Sequence, residues 1–319
     1  MERTRNIRKY ALSIILIFIV IAVAALSLSR PVKDSGGSPS YTGAITDTIS
    51  RIVSGCPGET GVALIIGSTD TVTVNNENIY PMMSVFKVHQ ALAVCNAFDR
   101  SGQSLDTMMT IRRDALDPET WSPMMKEHPE PVIRLTVKDL MRYSLIWSDN
   151  NASNFMFSSL VSVPGTDSLI ATLIPRSSFR IAYSESEMAA DHSRAYSNTT
   201  SPLGAAELMD RLFTDSLVSR EKQDFIKEAL RECTTGKDRI AAPLAGKEGV
   251  CIAHKTGSGY RENGVLAAHN DVAYISLPDG THYTLAVFVK DFRGTEQQAS
   301  EVIARISAAV YSILEQVQD

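Results

Sequence analysis

The chain has 319 residues, 44% hydrophobic and 21% charged, with a formal net charge of −5. This is the composition of an ordinary globular protein. No Lys/Arg block occurs outside the extreme N-terminus, and aromatics are not interleaved with basic residues, so nucleic acid is excluded as a partner.

The N-terminus comes first. "RTRNIRKY" carries Arg3, Arg5, Arg8 and Lys9, and an apolar run from Ala11 to Leu28 follows. A basic flank, an apolar stretch and the small-x-small triplet Ala22-Val23-Ala24 describe a signal peptide. The run is also long enough to span a bilayer uncleaved. Either way, residues 1–28 deliver the rest of the chain across the membrane by the positive-inside rule. The protein would touch the membrane only if this segment is retained. The polar stretch 29–40 reads as a disordered linker.

Folded structure is expected from Tyr41. Ile45, Ile49, Ile52 and Val53 recur at helical spacing, and Gly55 follows as a stop. "ETGVALIIGSTDTVTVNN" reads as two strands about a turn. From Pro81 to about Arg231 the pattern is mostly helical. "LTVKDLMRYSLIWS", "SPLGAAELMDRLFTDSLVS" and "REKQDFIKEALREC" are its clearest amphipathic segments. From Gly249 the pattern returns to β, with Asp279-Gly280 as a hairpin signal. A long amphipathic helix ends the chain. The expected organisation is an α/β domain from 41–80 plus 232–319, with 81–231 inserted as an all-α domain. The four cysteines (Cys56, Cys95, Cys233, Cys251) form no C-x-x-C pair. They read as small buried residues rather than as a disulfide framework.

Within the helical block, "MMSVFKVHQALAV" places Ser84 and Lys87 three apart on an apolar wall. Residues at i and i+3 share one helix face. Burial depresses a lysine pKa, and a neutral lysine can take a proton from a serine. Pro81 suits a first helical turn there. Ser219 and Lys222 repeat the spacing in a polar context and read as a surface helix start. Ser148, Asp149 and Asn150 follow "LTVKDLMRYSLIW", where a helix cap or Asx turn explains them equally well. "HKTGSGY" puts Lys255, Thr256, Gly257 and Ser258 in an otherwise apolar strand. That is either an edge strand guarded by lysine or a strand lining a cleft, with Gly257 admitting a ligand close to the backbone.

Ser-x-x-Lys, Ser-Asp-Asn and Lys-Thr-Gly, in that order, are shared by class A β-lactamases and penicillin-binding proteins. From Tyr41 to Asp319 the sequence resembles a class A serine β-lactamase, within the subgroup that favours cephalosporins. The resemblance implies an antiparallel sheet flanked by helices with an inserted all-α domain. It implies a monomer in the periplasm, a small-molecule β-lactam substrate and no cofactor. By the same resemblance Ser84 is the acylated nucleophile and Lys87 its proton-transfer partner. Ser148 relays a proton to the lactam nitrogen, and Asn150 binds the substrate side-chain amide. Lys255 holds Ser148 and attracts the substrate carboxylate, which Thr256 and Ser258 bind. The Ser84 and Ser258 N–H groups form the oxyanion hole, and Gly257 lies between the carboxylate-binding pair.

The family's deacylating motif is Glu-x-x-Leu-Asn. Here Glu185-Ser186-Glu187-Met188-Ala189 fits it, with Met for Leu and Ala for Asn. Glu185 is the expected water-activating base, and a register starting at Glu187 fits less well. For both glutamates the alternative is a solvated loop. Arg239 is a candidate carboxylate ligand or a surface residue, and Trp121 a cleft wall or a packing residue. Histidine motifs for zinc hydrolysis are absent, and no metal is implied. The rival readings are a D-Ala-D-Ala peptidase of the cell wall and a non-enzymatic β-lactam sensor.

Overall fold

The computed structural model describes residues 41–318. The signal or anchor segment 1–28 and the linker 29–40 lie outside the described residues. Among the described residues no helix is long and apolar enough to cross a membrane.

Helix α1 (Tyr41–Ser54) buries Ile45 and Ile49, four residues apart on one face. Strands β1 (Glu59–Ile66), β2 (Asp70–Val74) and the short β3 (Tyr80–Pro81) follow. One 3-10 turn, Met83–Val85, leads into α2 (Phe86–Ser101). Next come β4 (Met108–Arg112), α3 (Pro123–Glu127), β5 (Val132–Thr136), α4 (Val137–Ile146), α5 (Asn150–Ser159) and α6 (Val163–Ile170). The middle of the chain ends with β6 (Phe179–Arg180), α7 (Glu185–Ala190), β7 (Thr199–Thr200), α8 (Pro202–Thr214) and α9 (Arg220–Arg231). The remainder is β8 (Cys251–Ser258), β9 (Arg261–Glu262), β10 (Val265–Ser276), β11 (His282–Phe292) and α10 (Glu296–Gln318).

One antiparallel sheet runs in the order β2-β1-β11-β10-β8, with β9 paired to β10. Strands from both ends of the chain therefore share it. Alternate residues of each strand face opposite sides. Val62, Leu64, Leu285 and Val287 pack with Ile45, Ile303 and Ile306 under α1 and α10. Ala63, Ile65, Ala286 and Phe288 join the core of the helical block. Each fully buried large apolar side chain contributes about 1.5–3 kcal/mol. The hairpin between β10 and β11 turns at Gly280, whose φ is +86°, a conformation glycine adopts without a Cβ clash.

The block expected to be all-α departs from that expectation in two ways. It carries a β4–β5 pair and a three-stranded β3-β7-β6 sheet. "MMTIR" and "VIRLT" alternate in burial with period two, a strand pattern that helical residues on either side obscured. "LTVKDLMRYSLIWS" is accordingly the end of a strand and then a helix. Thr136 and Asp139 form a capping box at the junction. Furthermore, α8 packs directly on β1, β10 and β11. Pro81 is not in a helical turn either. It lies in β3, opposite Thr199, where its missing N–H removes nothing from the α2 ladder.

Among the described residues β8 pairs only with β10, at the edge of the main sheet. That edge packs against the Met83–Val85 turn, and this contact builds the cleft.

Candidate active site

The apolar neighbours of Ser84 hold its turn in the core. Met82, Met83, Val85 and Phe86 are all buried. Met83 has φ +47°, a strained conformation for a side-chain-bearing residue that costs about 1–3 kcal/mol. Clamps on both sides hold it. The Asn270 amide donates to the Pro81 carbonyl at 2.7 Å, and the Met82 N–H donates to the Asn198 carbonyl at 2.8 Å. Lys87 lies in the first turn of α2 and is fully buried. Its Nζ is 2.9 Å from Ser84 Oγ, 2.9 Å from the Ser148 carbonyl, 2.7 Å from Asn150 Oδ1 and 2.8 Å from Glu185 Oε1. Those are more acceptors than an ammonium has protons. Ser84 Oγ in turn donates to Glu185 Oε1 at 3.0 Å. By contrast, the second Ser-x-x-Lys copy is tied to one exposed-side carboxylate. The Ser219 N–H and Lys222 Nζ both meet Asp99, at 2.7 and 2.9 Å.

Within Ser148-Asp149-Asn150 the cap reading holds for Asp149, while Ser148 and Asn150 turn toward the buried lysines. Asp149 is fully buried and caps α5, accepting from Ala152 N at 2.8 Å and from Met124 N at 2.7 Å. Ser148 takes φ +59° and turns its hydroxyl between the two lysines. Lys255 Nζ is 3.0 Å and Lys87 Nζ 3.4 Å from Ser148 Oγ. Asn150 spends its side chain locally, with Oδ1 on Lys87 and Nδ2 on Thr120 Oγ1 at 3.0 Å.

Lys255 is fully buried, so it does not guard the sheet edge from solvent. Burial is the dominant influence and lowers it to about 8. Cys233 works in the raising direction and Lys87 in the lowering direction. Thr256 Oγ1 pairs with Thr235 Oγ1 at 2.6 Å. Gly257 permits the close approach on which the cleft depends. A Cβ there would stand 2.4 Å from the Met82 carbonyl oxygen. Ser258 is exposed at the strand end.

Glu185 and Glu187 have separate fates within one turn. Ser184 and Glu187 form a capping box, with the Ser184 N–H donating to Glu187 Oε2 at 2.8 Å. Glu187 is thereby held at the helix start, and Glu185 is directed inward, 5% exposed. Neither is a free loop carboxylate. Ala189, in place of the family's Asn, is exposed. Other amides fix the loop. Asn198 Oδ1 accepts from Ala182 N and Tyr183 N, at 2.8 and 2.9 Å, and Asn154 Oδ1 accepts from Ser186 N at 3.1 Å.

Arg239 is 6% exposed and is not a surface residue. It donates to the Gly257 carbonyl at 3.2 Å, the Asn270 carbonyl at 2.6 Å and Ser258 Oγ at 2.6 Å. Trp121 is 55% exposed, too open for a core packing residue, and its Nε1 donates to the Trp147 carbonyl at 2.8 Å. A cleft of about 260 Å³ is lined by Ser84, Trp121, Ser148, Asn150, Arg239 and Thr256, with Thr235 and Ser258 beside them.

Asn198, Asn270, Thr120 and Thr235 complete this arrangement and carry no signal in the sequence. Single polar residues in short loops or apolar strands carry no periodic signal; only their burial and partners reveal them.

The Beta-lactamase enzyme family model matches residues 44–314. The chain belongs to that family. It is 64% identical over 317 residues to a beta-lactamase of Phocaeicola vulgatus, covering 99% of this chain and 98% of that protein. It is 31% identical to the extended-spectrum beta-lactamase PER-1 of Pseudomonas aeruginosa, over 84% of this chain and 86% of the other. Among solved structures it is similar to the TLA-3 extended-spectrum beta-lactamase, with TM-score 0.82 and 29% identity over 86% of this chain and 99% of that one. It is also similar to a class A beta-lactamase from Bacteroides cellulosilyticus DSM 14838, with TM-score 0.83 and 27% identity over 88% and 100%. The protein is a serine β-lactamase hydrolase of class A fold.

Proposed function

We propose that this β-lactamase hydrolyses cephalosporins, and penicillins with them, through an acyl-enzyme on Ser84. The observation that carries the reading is the three-way contact of Ser84 Oγ with Lys87 Nζ and Glu185 Oε1, at 2.9 and 3.0 Å. Lys87 donates to Ser84 Oγ, so the serine proton is directed at Glu185. The buried Lys87–Glu185 pair therefore takes that proton as a unit while Oγ attacks the lactam carbonyl. Nucleophile and base within hydrogen-bond reach, with the base oriented by a third group, is the geometry covalent catalysis requires.

The developing oxyanion is received by the Ser84 and Ser258 N–H groups. One such donor is worth about 10²–10³ in rate. Ser148, bridging Lys87 and Lys255, passes a proton to the departing lactam nitrogen. Lys255, Thr256, Ser258 and Arg239 make the positive, hydroxyl-lined end of the cleft that attracts the substrate carboxylate. Gly257 keeps the strand close to Ser84, and Trp121 walls the cleft mouth. Asn150 addresses the substrate side-chain amide once its contact with Lys87 or Thr120 is exchanged. Glu185 then activates water against the ester, releasing the ring-opened product. The cephalosporin preference is supported by the subgroup resemblance and by relatives that carry extended-spectrum in their names. Export to the periplasm by residues 1–28, and action as a monomer, belong to the same reading.

The test is covalent labelling with a slowly hydrolysed β-lactam, read by intact mass. Ser84→Ala is expected to abolish the adduct. An adduct that survives the substitution moves the nucleophile elsewhere.

A further inference from the structure

A second cavity lies outside the cleft, between the end of β4 and the start of β5. It measures about 800 Å³, against about 260 Å³ for the cleft, and the two share no lining residue. Pockets for small molecules fall in the range of about 300–1,000 Å³. Leu116, Met125 and Val132 give this one an apolar wall. Val132 is 47% exposed there. Pro118, Pro129 and Pro131 frame the rest. Proline fixes its own φ, so the frame is set before a ligand arrives.

One guanidinium is held in place at this wall. The Arg113 backbone N–H donates to the Pro131 carbonyl at 3.0 Å. Its Nη1 donates to the Met125 carbonyl at 2.5 Å and to the His128 carbonyl. That occupies two of the five N–H donors of the side chain. Among the described residues Nε and Nη2 have no hydrogen-bond partner, and no carboxylate pairs with Arg113. Nε and Nη2 form the edge of the fork that meets a carboxylate through two parallel bonds. The neighbouring charges are taken up elsewhere. Arg112 Nε meets Asp114 Oδ1 at 3.0 Å, and His128 Nδ1 meets Glu130 Oε1 at 3.0 Å. The lining is left with one uncompensated positive charge, that of Arg113.

We propose that this cavity binds a small organic acid, with its carboxylate on the Nε–Nη2 edge of Arg113 and its apolar body against Leu116, Met125 and Val132. An apolar pocket with one placed charge selects that combination. A bare anion gains nothing from the wall, and an apolar amine would set like charges together. The loop between the two walls runs on to the cleft. Asp117 is clamped to Asn151 through its N–H at 3.0 Å and its carbonyl at 2.9 Å. Thr120 Oγ1 and the Trp121 carbonyl both accept from Asn150, at 3.0 Å each. An occupant of the cavity therefore lies against the loop that carries Trp121.

The experiment uses the full chain and 4-cyclohexylbutyrate, an acid transparent where tryptophan is excited. Equilibrium dialysis gives its affinity. The fluorescence of Trp121 and Trp147, the two tryptophans of the chain, is followed alongside. The expected result is one saturable site whose filling changes the fluorescence. The amide of the same acid should bind about 10- to 150-fold more weakly, because the charged hydrogen bonds are lost. Val132→Glu puts a like charge in the wall and should abolish binding while β-lactam turnover stays at the wild-type level. Arg113→Met should weaken binding as much as the amide does, and Arg113→Lys should recover little of it. No saturable site, equal binding of acid and amide, binding without a fluorescence change, or an affinity unaltered by Val132→Glu would each overturn the proposal. So would displacement of the acid by a slowly hydrolysed β-lactam held on Ser84, which would place the acid in the cleft. Should Arg113→Met fail to fold, the amide and Val132→Glu decide it.

Discussion

Glu185 Oε1 stands 3.0 Å from Ser84 Oγ and shares that oxygen with Lys87 Nζ at 2.8 Å. One carboxylate therefore touches both the proposed nucleophile and the lysine proposed to activate it. Glu185→Gln keeps the shape of this contact and removes its basicity. The Lys87 contact with Ser84 Oγ is untouched by the change, so acylation should continue while hydrolysis of the ester slows. The expected loss in steady-state turnover is about 10²–10⁴-fold, the usual worth of a positioned base. Intact mass should then find an accumulated adduct. Turnover at the wild-type rate would place the base elsewhere.

Lys255 adds a pH dependence. Burial, opposed by Cys233 and assisted by Lys87, brings it to about 8. Below that pH the ammonium is charged and attracts a carboxylate; above it the charge is lost. The value of kcat/KM should therefore fall on the alkaline side with a midpoint near 8. A substrate whose carboxylate is masked as an ester should show a weaker alkaline decline. An identical decline for both substrates would contradict the assignment.

Arg239 makes three hydrogen bonds at the strand end, one of them to Ser258 Oγ. Charged hydrogen bonds are worth about 1.5–3 kcal/mol. Arg239→Ala should therefore lower kcat/KM roughly 10- to 150-fold, mostly through KM. Arg239→Lys should recover little, because a lysine cannot reproduce the planar fork. A change confined to thermal stability would assign Arg239 to the scaffold alone.

Gly257 tests the packing of β8 against the Ser84 turn. A methyl group would meet the Met82 carbonyl oxygen at 2.4 Å, a backbone atom that cannot rotate away. Gly257→Ala should cost about 1–3 kcal/mol of stability, as overpacking does. It should also lower turnover more than the stability loss explains, because the strand moves away from Ser84. Thermal melts and kinetics on the same sample separate the two effects.

His254 links the same region to stability. Burial works against its charged form, but Asp271 prevails and raises it from 6.5 to about 10. A raised folded-state value contributes stability that is fully present below about pH 6.5 and is lost as pH rises through 10. His254→Gln should flatten the decline of thermal stability between those limits. An unchanged profile would mean that the imidazole is not charged in the fold.

Much of this arrangement is legible in the sequence where a local rule acts alone. Ile45 and Ile49 declare α1, Asp279-Gly280 declares the last hairpin, and Ser84 and Lys87 meet because one helical turn separates them. Chain order alone brings Ser148 and Lys255 forward as candidates, though 107 residues divide them. The failures have physical causes. Pro81 reads as a helix start because proline suits either a first turn or a short edge pairing, and only Thr199 across the sheet decides between them. The β4–β5 pair is hidden because five-residue strands give too few periods to stand out from neighbouring helices. Asn198 and Asn270 hold the Ser84 turn from 116 and 188 residues away by contact with Met82. No pattern in a single chain marks such a pairing. Arg239 is divided between two readings in sequence because burial, not residue type, separates a surface cap from a cleft residue.

The most direct test of the central claim mixes the purified protein with excess cephalosporin and follows ring opening by absorbance and intact mass together. The account predicts many turnovers per enzyme with a transient adduct on Ser84. A persistent one-to-one adduct without turnover, or turnover with no adduct in either the wild type or Glu185→Gln, would contradict it.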